Sequence, residues 1–211
     1  PWSDIRVRKA ASYAINREAI CDKILYGGAE PWGDVLAPYH AGFDPNIEPY
    51  PYDPEKAKAL LKEAGYPDGF DTILTANPSA KLPAQAVQAN LKKVGIRAEL
   101  NIPEHAMWSR MMHQRKYRGI GFQPGPWWSG RSHPAVALQS HLAMDKLMIV
   151  VGDDKIAAQA KEVSRIYHEQ MPRFNLWAKH TAYGLGPRVE YWENVPGWNY
   201  TGNLDLIRLK D

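Results

Sequence analysis

Apolar and polar positions follow a helical period at the start of the chain and switch to a strand period further on. Val7, Ala10, Ala11 and Ala14 recur at helical spacing behind Ser3 or Asp4, either of which can accept a hydrogen bond from a first-turn amide. A first helix is expected there. Asn16 reads as a fresh N-cap for a second helix with Ile20 and Ile24 on one face and Cys21 beside it, ended by a left-handed turn at Gly27 and Gly28. Asp53 as N-cap, Pro54 at the first helical position, and apolar Ala57, Leu60, Leu61 and Ala64 predict a third helix that Gly65 stops. Beyond the Pro67-Asp68-Gly69 turn, a strand is expected near Phe70 to Thr75 and a helix near Pro83 to Val94. Ile96, Ala98, Leu100 and Ile102 then alternate with Arg97, Glu99 and Asn101, the period of a strand with one buried face. This β–α–β order implies parallel strands joined by a right-handed crossover.

The pattern continues with a short helix on Met107, Trp108, Met111 and Met112 and a brief strand from Gly119 to Phe122. A long helix capped by Asp153 or Asp154 follows, with Ile156, Ala157, Ala160, Val163 and Tyr167 on its face and Pro172 as its stop. Phe174 to Tyr183 reads as a further strand. Residues 28 to 52 hold five prolines without either period and predict an ordered loop, since Trp32, Tyr39, Phe43, Tyr50 and Tyr52 are too apolar to leave in water. With no repeat and no dividing linker, the expected fold is α/β, a mixed sheet flanked by helices, forming a single lobe over residues 1–211.

Composition narrows the function. The 26 Lys and Arg against 23 Asp and Glu are scattered along the chain, so the net charge of +3 makes no stripe of the kind nucleic acid requires. No apolar run approaches the roughly 18 residues of a membrane helix. The single Cys21 cannot form an internal disulfide, which fits a reducing compartment or a periplasmic protein without staples.

Chemistry concentrates in the stretch Gln123-Pro-Gly-Pro-Trp-Trp-Ser-Gly-Arg-Ser-His-Pro134. Trp127 and Trp128 offer apolar faces with a polar N–H, Ser129 offers a hydroxyl, and Gly130 leaves backbone groups accessible. Arg131 could fork onto a carboxylate, phosphate or sugar acid. The competing reading packs both indoles onto the core and leaves Arg131 solvated. Trp32 likewise either meets a ligand or packs beneath its own loop. The seven histidines, with His105 and His113 or His133 and His141 eight apart, lack metal-ligand spacing. No Gly-x-Ser-x-Gly elbow is present, and Cys21 sits on a packed helix. Neither a metal, a cofactor nor catalysis is expected.

Two segments in fixed order carry a resemblance: Asp4-Ile-Arg-Val-Arg-Lys-Ala-Ala-Ser-Tyr-Ala-Ile-Asn-Arg-Glu-Ala-Ile20, then Tyr50-Pro-Tyr-Asp-Pro-Glu-Lys-Ala-Lys-Ala-Leu-Leu-Lys-Glu-Ala-Gly-Tyr-Pro-Asp-Gly-Phe70. Together they resemble the second half of the family 5 extracellular solute-binding proteins, the peptide, dipeptide, nickel and opine receptors of ABC importers. The resemblance implies the distal lobe of a two-lobed type II periplasmic binding protein whose first lobe lies ahead of Pro1. It implies capture of a peptide-like or other small polar solute, delivery to a membrane permease, action as a monomer, and a periplasmic or extracellular location with any membrane anchor ahead of Pro1.

The resemblance also implies ligand-binding roles for Gln123, Trp127, Trp128, Ser129, Gly130, Arg131 and His133. Trp127 takes the place of the family's ligand-facing Trp, and Pro134 that of a Pro. Where peptide receptors hold an Asp for the peptide α-ammonium, this chain has Gly130 followed by Arg131, and His133 replaces the acid before Pro134. A buried ammonium without an anionic partner costs several kcal/mol, so the expected solute is anionic, N-blocked or sugar-like. The rival readings are the ligand-sensing part of a transcription regulator and a hydrolase that uses the Trp-rich stretch as a platform.

Overall fold

The computed structural model describes residues 1–38, 40–114, 116–122, 153–171, 175–179, 187–192 and 207–210. The chain divides into two compact units. The first comprises Pro1–Gly33, Pro49–Gly125 and Gln170–Lys179; the second comprises Asp34–Glu48, Pro126–Glu169 and His180–Asp211.

Unit 1 opens with α1 (Ile5–Ala14), whose N-cap Asp4 accepts a hydrogen bond from the Arg6 amide. Helix α2 (Arg17–Lys23) starts at Asn16, whose side chain accepts from Ala19 N. Its exit is left-handed one residue earlier than the glycines predict: Tyr26 has φ 53° and Gly27 φ 73°. Helix α3 (Pro54–Glu63) has the expected Asp53 cap and Pro at its first turn. Ala10, Ala11 and Ala14 of α1 and Ala57 and Leu61 of α3 are all buried in one cluster, small side chains that let helices approach closely.

Strand β1 (Ala29–Pro31) lies inside the stretch expected to be loop throughout. It pairs antiparallel with β5 (Trp177–Lys179), placing Ala29 opposite Lys179. That pairing needs a partner some 150 residues away, which no local period can announce. The main sheet has the order β3-β2-β4, formed by β2 (Phe70–Ala76), β3 (Ile96–Asn101) and β4 (Ile120–Phe122). Strand β2 is parallel to both neighbours, with Phe70 opposite Ile96 and Leu74 opposite both Leu100 and Ile120. Helix α4 (Lys81–Lys93) joins β2 to β3, and its Ala84, Val87 and Leu91 pack with Leu74 and Ile96 in the core. Each fully buried Leu, Ile or Val contributes about 1.5–3 kcal/mol relative to exposure. Helix α5 (His105–His113) then leads to β4, with Trp108 buried.

In unit 2, α6 (Asp153–Gln170) buries Ala160 and Tyr167 with Val35 and Leu36. The buried Asp34 carboxylate accepts from Leu36 N, from Asp44 N and from the Ser164 hydroxyl. Strands β6 (Val189–Trp192) and β7 (Ile207–Leu209) pair antiparallel. Of the strand expected from Phe174 to Tyr183, Trp177–Lys179 is strand, Asn175 and Leu176 are not, and 174 and 180–183 lie outside the described residues.

Two glycines separate backbone conformation from space. Gly65 and Gly69 have φ 90° and 73°, but a Cβ on Gly65 would meet nothing within 4 Å, whereas one on Gly69 would lie 1.8 Å from Gly95 O. Gly65→Ala should therefore cost only the left-handed penalty, about 1–2 kcal/mol. Gly69→Ala adds backbone overlap where β2 and β3 begin and should cost about 3 kcal/mol or more; denaturant unfolding of the two variants checks the order.

The Asp4 carboxyl is held at about 2 instead of 3.8, chiefly by the side-chain hydrogen bond from Arg6 and then by the Arg6 amide. A folded-state value below the unfolded one means that this contribution is full above about pH 4 and is lost as the pH falls toward 2. Asp4→Asn keeps an N-cap acceptor but not the charge pair, so its thermal midpoint should fall less steeply than that of the parent between pH 4 and pH 2.

Candidate functional site

The carboxyl ends of β2 and β4 meet at one edge of the parallel sheet, the edge at which open α/β sheets place ligands. The pairing extends one residue beyond β2: Asn77 N donates to the carbonyl of Phe122, the last residue of β4, at 3.0 Å. Phe122 is the residue to which the Gln123–Pro134 stretch is joined. Gln123, Trp127, Trp128, Ser129, Gly130, Arg131 and His133 themselves lie outside the described residues.

Asn77 is buried, and its Oδ1 accepts from both the amide and the hydroxyl of Ser79, each within 2.9 Å. These bonds fold Pro78–Ala80 into a 3₁₀ turn that delivers the chain to α4. The Asn77 Nδ2 lies 3.4 Å from Nδ1 of His105, the first residue of α5. One amide thus ties the end of β2 to the starts of two helices. Ala80, the N-cap of α4, makes no side-chain capping bond.

Beside this edge lies a cleft of about 340 Å³, walled by Ile24 and Leu25 on one flank, Ser79, Lys81 and Leu82 on another, and Trp177 of β5. Leu82 is 61% exposed, an apolar side chain of the kind that packing on a ligand or another surface would cover. The Trp177 ring stands 5.9 Å from that of Phe122. The wall of the cleft therefore touches the strand end from which the Trp-rich stretch departs. Its lining is mostly apolar, with the Lys81 side chain as one cation and the Ser79 hydroxyl already donating to Asn77, a composition suited to holding an organic solute largely by shape.

Trp32, read as a ligand contact or a packing residue, passes through unit 1 with its amide donating to Leu176 O at 3.3 Å. Cys21 is free and buried, and burial pushes its thiol above the ordinary value, which disfavours the thiolate. Among the described residues no three His, Cys, Asp or Glu side chains converge. Sequence reasoning missed Asn77, Ser79, Lys81, Leu82 and Trp177 as a group. The Asn-Pro-Ser run at the end of β2 is the local signal that could have exposed the turn.

This α/β sheet with flanking helices is the lobe fold of the type II periplasmic binding proteins. The chain superimposes on AgaA of A. tumefaciens R10 in complex with agropinic acid with a TM-score of 0.72 at 23% identity, covering 94% of this chain and 45% of that one. Against the Helicobacter pylori periplasmic protein DppA in complex with the peptide STSA, the values are 0.69 and 23%, covering 84% and 38%. The family model for bacterial extracellular solute-binding proteins, family 5 Middle, matches residues 1–142, and the chain belongs to that family. It is 39% identical over 107 residues to the dipeptide-binding protein of Escherichia coli K12, covering 47% of this chain and 20% of that protein. Heme-binding protein A of Haemophilus influenzae is 38% identical over 104 residues, covering 46% and 19%. The chain thus matches about a fifth of the length of these relatives.

Asn77→Ala would leave the Ser79 amide and hydroxyl without their acceptor. A loss of about 1–2 kcal/mol is expected, with amide exchange speeding up over residues 78–82 and staying unchanged in β3; hydrogen-exchange mass spectrometry distinguishes this from general loosening.

Proposed function

We propose that residues 1–211 supply the distal lobe of a two-lobed, monomeric solute receptor that works outside the cytoplasmic membrane and hands its solute to an ABC permease. The observation that carries this reading is family membership combined with the cleft at the carboxyl edge of β2 and β4, where the Trp-rich stretch begins. The relatives are named for binding partners as different as a dipeptide, heme and glutathione. The scaffold is therefore compatible with many solutes, and selectivity must come from side chains at the edge.

In this reading Trp127 and Trp128 stack on the solute, Gln123 and Ser129 offer polar contacts, Gly130 leaves room for close approach, and Arg131 with His133 favours an anion. With Gly130 in place of the family's Asp, no carboxylate in this stretch awaits a peptide α-ammonium. The solute is accordingly anionic, N-blocked or sugar-like. The hinge brings a second lobe onto it, and contacts made only when both surfaces touch the solute shift the population from open to closed.

Calorimetry on the longer protein that joins this chain to its first lobe tests the reading. N-acetylated peptides and sugar acids should bind, free di- and tripeptides should bind about 100-fold more weakly, and Arg131→Ala should remove the preference for anions. The 211-residue chain alone should bind about 100-fold more weakly than the two-lobed protein. Tight capture of free peptides through their amino terminus would rule out the solute class, and undiminished affinity of the single chain would rule out the two-lobe mechanism.

A further inference from the structure

Arg17 is the one fully interior cation among the described residues, 4% exposed, and no carboxylate forms an ion pair with it there. A guanidinium in such a place must be held by dipoles. Its Nη1 donates to Ser12 O and Tyr50 O, both at 2.9 Å, and to Ile15 O at 3.4 Å. Its Nη2 donates to the Ser12 hydroxyl at 2.6 Å, and its Nε to Asn175 O at 3.4 Å. Ser12 and Ile15 belong to the carboxyl end of α1, where the helix dipole favours a positive charge. Burial brings the guanidinium down only to about 10, so it keeps its proton at neutral pH.

These acceptors come from three separate stretches of unit 1. Tyr50 lies just after the chain returns from the residues of unit 2, and Asn175 lies in the short Gln170–Lys179 return. The same return is held a second time by Arg8, whose Nη2 donates to Gln170 O at 3.0 Å. From Asn175 the chain runs through Leu176, whose carbonyl accepts from Trp32 N, into Trp177, the aromatic wall of the cleft. Only a planar fork with five donors reaches three stretches at once; a lysine has a single nitrogen to offer.

We infer that Arg17 is a positioning residue for the cleft: by clasping Asn175 it fixes where Trp177 stands, without reaching whatever the cleft holds. Its weight in function rests on the cleft being the solute surface, but the positional effect can be measured without any solute. Hydrogen-exchange mass spectrometry on the full chain provides the test. Arg17→Lys should raise exchange about tenfold in peptides covering 29–32 and 175–179, leaving α3 and the β2–β3 pairing within about twofold. Ser12→Ala, which removes one acceptor and leaves the guanidinium in place, should give the same local pattern at about two- to threefold and serves if the Arg17 variant does not fold. Exchange rising evenly across α3, β2 and β3, or unchanged at 175–179 in the variants that fold, overturns the inference. Undiminished solute binding in calorimetry on the two-lobed Arg17→Lys protein, with the local rise in exchange present, would instead count against the cleft as the solute surface.

Discussion

Strand β2 exchanges parallel hydrogen bonds with β3 along six residue pairs and with β4 along three. That double pairing is the constraint on which the rest of unit 1 depends. A central parallel strand cannot shift by one residue without exchanging its two faces, and Leu74 is completely buried on one of them. The register is set at the amino edge, where Gly69 and Gly95 let the two strands start in near-contact. At the carboxyl edge the same register delivers Asn77 and Phe122 side by side. The geometry of the cleft follows from the packing of the sheet.

Charge serves two different ends in this chain. Exposed pairs such as Arg97–Asp71 and Lys58–Glu55 sit in water, where solvent screens their attraction. They keep the surface soluble and bias local geometry. Interior charge is scarcer and meets local dipoles: Asp34 accepts from two backbone amides and a hydroxyl, and Arg17 donates to four carbonyls and a hydroxyl. Removing one partner from such an arrangement strands a polar group without water, so interior charges fix positions more firmly than surface pairs do.

Local periodicity was enough to read most of the helices and the βαβ unit, because caps and apolar spacing are written within a dozen residues. Asp4, Asn16 and Asp53 each bond to a first-turn amide as their chemistry suggests. Helix α4 begins at Lys81, two residues earlier than Pro83, because the Asn77-capped turn supplies a start that apolar spacing does not register. Strand β1 escaped for another reason: it has three residues and exists through its pairing with β5. Arg17, charged and set among helix-forming residues, looks in the sequence like any solvated arginine. Its burial depends on carbonyls from residues 50 and 175, information that is distributed over the whole chain.

The cleft was hidden by the same distance effect, since its walls come from the residues just after α2, the turn before α4 with the first residues of α4, and β5. The order β3-β2-β4 is nevertheless the arrangement at whose carboxyl edge open α/β sheets place ligands. The connection after β2 passes through α4 toward β3, on one side of β2, whereas β4 lies on the other side. The carboxyl ends of β2 and β4 therefore lie side by side, and the turn that leaves β2 forms one wall of the cleft. At that point Asn77 shapes the turn into α4, and Trp177 supplies an apolar face. A single sheet edge of this kind contacts a solute from one side only, leaving its other side to water. In the proposed receptor a second surface would complete the desolvation, and the need to release the solute favours making that surface movable.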